Sequence, residues 1–101
     1  MAQDLFVFLA QGVASELSGY RAGARHALLL YSTGLSLESA QQSAVTFAQD
    51  NGWLHVEAQR SKATSSDTDL ISDATLRAAA EAAVRSGQGL VVYQSELASD
   101  A

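Results

Sequence analysis

The chain has 101 residues, 48% hydrophobic and 17% charged, and 6 Lys+Arg against 11 Asp+Glu give a formal charge of −5. That is one domain's worth of chain, residues 1–101, with apolar material for a single core, which excludes a wholly disordered segment. The absence of cysteine excludes disulfides and thiolate metal sites, and so few cations argue against nucleic-acid binding, whose affinity comes from neutralised phosphates.

No apolar run reaches the length of a membrane span. The start, Met1-Ala2-Gln3-Asp4, lacks the basic leader of a secretory signal. The expectation is a cytoplasmic protein, since nothing in it needs an oxidising compartment.

Leu5–Leu9 is a short apolar run with two Phe and a Val, and it predicts a strand. Gln11–Gly23 is mixed, with Gly12, Gly19 and Gly23 as candidate turns or bulges, and residues 11–25 carry no pattern that sets their conformation. His26–Tyr31 predicts a second strand, able to pair with the first as an antiparallel hairpin. Ser36 reads as a helix N-cap, with Glu38 placed to suit the helix dipole. Leu37, Ala40, Ala44, Phe47 and Ala48 form one stripe, and Asn51-Gly52 is a stop signal, so a helix runs from about Leu37 to about Asp50.

Trp53–Gln59 alternates, which places Leu54, Val56 and Ala58 on one face of a strand and Trp53, His55, Glu57 and Gln59 on the other. The polar stretch after about Lys62 predicts a loop. An alanine-rich helix starts near Ser72 or Asp73, buries Leu76, Ala79, Ala80, Ala83 and Val84, and stops at Gly87. Leu90–Tyr93 is the last strand, followed by a frayed tail from Glu96.

The order β-β-α-β-α-β predicts an α+β two-layer sandwich, with both helices on one face of a four-stranded sheet. From His26 onward the order reads as two successive β-α-β units. A three-layer arrangement needs helices on opposite faces, and two helices are few for that task. His26–Tyr93 resembles small bacterial ferredoxin-like domains in its pattern. The likeness lies in a helix ending at Asn51-Gly52-Trp53 and an alanine-rich helix before the Val91-Val92-Tyr93 strand. The resemblance implies a ferredoxin-like fold and brings no catalytic motif with it.

Three predicted strands are apolar on both sides, whereas a sheet with one wet face alternates. With both helices on one face, Phe6, Phe8, Leu29, Tyr31, Trp53 and Tyr93 would form a patch larger than a monomer exposes. Its expected cover is a second copy of the chain, giving a homodimer and a non-enzymatic interaction module. The alternative is a small enzyme or metal-dependent binder. There His55 and Glu57, with His26 from a neighbouring strand, would supply a divalent metal site or an acid–base pair. No phosphate-cradling loop, HExxH or Gly-x-Ser-x-Gly motif is present, and no cofactor is expected.

Overall fold

The computed structural model describes residues 4–64 and 67–97. Its elements are β1 (Asp4–Ala14), β2 (Arg25–Gly34), α1 (Leu37–Asp50), β3 (Trp53–Thr64), α2 (Ala74–Ser86) and β4 (Gln88–Glu96), with single 3-10 turns at Glu16–Ser18 and Thr68–Leu70. The fold is α+β: a four-stranded antiparallel sheet in the order β3-β1-β2-β4, with two helices packed on it. The element order is the expected one. It is not the βαββαβ order of a ferredoxin-like domain, so that resemblance does not extend to topology.

The strands are longer than their apolar runs. β1 continues through Gln11 and Gly12 to Ala14, because a central strand has its backbone groups paired on both sides whatever its side chains are. β3 runs on through the polar stretch to Thr64, where a loop was expected after Lys62. β4 runs from Gln88 to Glu96, where a frayed tail was expected to start, and the Leu97 amide donates to the Arg25 carbonyl; residues 98–101 lie outside the described residues.

Both helix starts lie where the capping chemistry puts them. The Ser36 hydroxyl accepts from the Ser39 amide, and the Ser39 hydroxyl accepts from the Ser36 amide, a reciprocal box that satisfies two orphan donors. Asp73 accepts from the Leu76 amide at 3.0 Å. At the end of α1 the Asn51 side-chain amide donates to the Phe47 carbonyl at 2.7 Å. Gly52 then turns the chain at φ 93° with its Cα against Leu17 and Ser18, where a Cβ would lie 2.5 Å from the Ser18 nitrogen.

The two helices bury opposite sides of the sheet. α1 sets Ala40, Ala44 and Ala48 on Phe6, Phe8 and Ala10 of β1, Leu28 and Leu30 of β2, and Trp53. This is the larger core, two-layered and closed by partly buried Tyr20, Val56, Leu90 and Val92. α2 sets Ala79, Ala80 and Ala83 on Leu5, Tyr31 and Val91, which have the other parity on the same strands. The expectation of both helices on one face therefore fails. Successive strand residues point opposite ways, and both central strands carry large apolar groups at odd and even positions alike, so each face needs a helix. Of the two expected β-α-β units only the first forms, with β2 and β3 parallel and β1 between them; β4 pairs antiparallel with β2 and so runs against β3.

Alanine on both helices lets backbone approach backbone. The closest approach is at Gly89 of β4, where any side chain would run into the Ala79 carbonyl of α2. Gly89→Ala is expected to lower unfolding stability by about 2–3 kcal/mol, measured by urea titration, because the helix must lift off the sheet to admit the methyl group. Stability within about 0.5 kcal/mol of the parent would show that α2 is not seated there.

Candidate functional site

α2 covers only the β4 side of the second face. Towards β3 that face stays open, and it carries Val7, Leu9 and Val13 of β1, Ala27 and Leu29 of β2, and Tyr93 of β4, all incompletely buried. The strip is apolar because the same central strands must be greasy under α2 a few residues away. β3 borders it with Lys62 opposite Val7, Arg60 opposite Leu9 and Glu57 opposite Gln11. Val7, Leu9, Leu29, Arg60, Ser61 and Lys62 line a cleft of about 250 Å³.

The six predicted interface residues separate sharply. Phe6, Phe8 and Trp53 are buried under α1, and Tyr31 is buried under α2, so none of these four is available to a partner. Leu29 lies on the open strip, and Tyr93, 43% exposed, stands at its β4 side. Burial pushes the Tyr31 hydroxyl above the ordinary phenol range, with Tyr93 and Asp73 adding to the effect.

The predicted His26, His55 and Glu57 set does not assemble. His26 is on the α1 side of the sheet, packed between Tyr20 and Trp53 with ring centroids 4.9 and 5.5 Å away. His55 and Glu57 are on the other side, where they line a hollow of about 70 Å³ with Gln11, Gly12 and Arg25. Among the described residues no three of His, Cys, Asp and Glu come together as a metal site would need.

β3 also breaks its own alternation. His55 has φ 51°, the left-handed region, and the register between Gln11 and Val13 gives β3 one extra residue there. The bulge flips the parity of what precedes it. Trp53 and Val56 both pack into the α1 core, and Leu54 turns outward to 49% exposure, the reverse of the expected facing for Trp53 and Leu54. A second shift between Leu9 and Ala10 flips parity again and aims Arg60 and Lys62 at the open strip. Arg60 and Lys62 are visible in the sequence as a neighbouring basic pair, but the face they share is not. The one signal for the first bulge is Gly12, whose added Cβ would crowd Leu28, Trp53 and Val56 at 3.1–3.5 Å.

Comparison of the chain with protein-family models, with curated proteins and with solved structures gives no match in any of the three. Among the described residues no helix is long and apolar enough to cross a membrane.

A histidine held left-handed carries strain of about 1–2 kcal/mol. His55→Gly is expected to keep the fold and raise stability by up to about 1 kcal/mol in urea titration, because glycine adopts that φ freely. A loss of stability would show that the His55 ring contributes more than its backbone costs.

Proposed function

We propose that this chain is a non-catalytic interaction module that pairs with a second copy of itself through the open strip of the second sheet face. The carrying observation is the strip itself, an apolar path across β1, β2 and β4 with unpaired charges of both signs along its β3 border. Apolar area of this kind is what association removes from water.

The charges favour a copy of the same chain as occupant. Arg60 and Glu57 face the same side three positions apart on β3, and among the described residues neither makes an ion pair. A two-fold axis crossing β3 between them would lay Arg60 of each copy against Glu57 of the other, so one contact is made twice. The same axis lays Leu29 over Ala27 of the partner, and sheets stacked this way interdigitate at about 10 Å. A charge pattern that is its own complement supports self-pairing over an unrelated partner, which would have to supply both signs in the right order.

Sedimentation equilibrium at micromolar concentration tests this reading. The parent chain is expected as a dimer, Leu9→Asp as a monomer, and Arg60→Glu as a dimer weakened at least tenfold, roughly 1.4 kcal/mol. Adding Glu57→Arg to Arg60→Glu restores the complementary order and is expected to recover most of the loss. A monomeric parent, or an Arg60→Glu loss that the second substitution deepens, would refute the pairing.

A further inference from the structure

His26 is the one buried side chain whose polar chemistry is incomplete among the described residues. It is 1% exposed. Its Nδ1 lies 2.8 Å from the Tyr93 carbonyl, and a carbonyl can only accept, so Nδ1 carries the proton and donates it. Nε2 is buried with no hydrogen-bond partner. Against the imidazole lie two aromatic rings, Tyr20, and Trp53 at an interplanar angle of 74°. Tyr20 and Trp53 also touch each other, with centroids 5.7 Å apart.

Tyr20 is the apolar anchor of the excursion that joins β1 to β2, residues 15–24. Leu17 in the same excursion is 86% exposed, and Arg21 and Ala22 are exposed. The excursion is held at its base by the Ala14 amide on the Ala24 carbonyl, the Gly23 amide on the Ala14 carbonyl and the Ser15 amide on the Gly52 carbonyl. Leu17 and Ser18 also lie against Gly52, and beyond that contact the excursion has two long-range side-chain ties. One is Tyr20 on His26 and Trp53. The other is the two-pronged pair of the Arg21 guanidinium with the Glu96 carboxylate, its Nε 3.0 Å from Oε2. A segment held by so few buried contacts sits at the low-stability end of a domain.

We infer that residues 15–24 form an acid-released latch over Trp53, closed while His26 is neutral and opened when Nε2 takes a proton. A second N–H on the imidazole would be a buried donor with no acceptor, carrying a charge in a pocket walled by rings, and the remedy is water. Of the two rings against the imidazole Tyr20 is the one only partly buried, so its departure is the route by which water would enter. The other titratable groups facing the site are Glu96, the cross-strand neighbour of His26 on β4, and Arg21, which holds Glu96. β1 places Gly12 opposite His26 and β3 contributes Trp53, so neither adds a charge there.

The second tie weakens in the same direction. The hydrogen bond from Arg21 holds the Glu96 carboxyl below the usual carboxylate range against an opposing desolvation, and the Arg21 charge adds to the lowering. A lowered carboxyl contributes its stability above the unfolded value and loses it as pH falls through the folded one, so this tie too is lost on acidification. The inference is independent of the pairing surface, which is on the other side of the sheet.

Trp53 is the only tryptophan, so its fluorescence reports on this pocket alone. The full chain would be titrated from about pH 8 to pH 5, the range in which histidine changes charge, with far-UV circular dichroism recorded in parallel. The acrylamide quenching rate is read in place of intensity, because an imidazolium itself quenches indole. Quenching is expected to rise several-fold with unchanged dichroism in the parent. It is expected to stay low across this range in His26→Gln, which cannot take the charge, and to be high at every pH in Tyr20→Ala. Arg21→Gln is expected to open at higher pH than the parent. A flat parent profile, a rise that coincides with loss of dichroism, or a parent-like transition in His26→Gln would overturn the latch. If His26→Gln does not fold, the flat or rising profiles of the parent and Arg21→Gln decide the question.

Discussion

The constraint behind the whole molecule is that β1 and β2, the two inner strands, are apolar on both faces. Phe6, Phe8, Leu28 and Leu30 point one way, and Leu5, Val7, Leu29 and Tyr31 point the other. Burying such a pair from one side would leave several side chains in water at roughly 1.5–3 kcal/mol each. The chain has two helices, and each takes a face. α1, the better placed, lies over β1, β2 and the start of β3 on three alanines. α2 reaches its face only at the β4 side, where Gly89 lets it descend onto the backbone. The open strip is what one short helix leaves uncovered on a face that the inner strands have made greasy throughout. Its position thus follows from where α2 must stop.

Much of the element order was legible. The caps at Ser36 and Asp73 and the stops at Asn51-Gly52 and Gly87 act through local chemistry, and local chemistry is written in consecutive residues. Double-sided apolar strands were legible too, and they carried the correct demand that something cover the second face. What covers it was not legible. Where α2 seats on that face turns on a close approach at Gly89, and a glycine in a strand looks the same from sequence whether it marks a bulge, a turn or a docked helix. Four of the five aromatic residues assigned to an interface, Phe6, Phe8, Tyr31 and Trp53, were large apolar groups whose cover proved to be the chain's own helices.

The site was less legible than the fold because β3 does not keep period two. A residue-by-residue reading assumes that side chains alternate, and two register shifts overturn that assumption at Gln11–Val13 and again at Leu9–Ala10. The first brings Trp53 inward and leaves His55 in a left-handed conformation. The second turns Arg60 and Lys62 towards the strip. A bulge is set by the partner strand as much as by its own residues, so Gly12 on β1 and His55 on β3 specify it together from places far apart in sequence.

The two histidines show how the same side chain comes to serve unlike purposes on one sheet. His55 is exposed, and its backbone carries the constraint while its ring is free to meet solvent or the small hollow beside Arg25. His26 has ordinary strand geometry, and its ring carries the constraint: one nitrogen is committed to the Tyr93 carbonyl and the other is shut away from water. Between them stands Gly12, and the absence of a side chain there lets Trp53 approach closely enough to close the pocket around His26. The bulge that strains His55 is therefore the same feature that brings Trp53 inward onto His26.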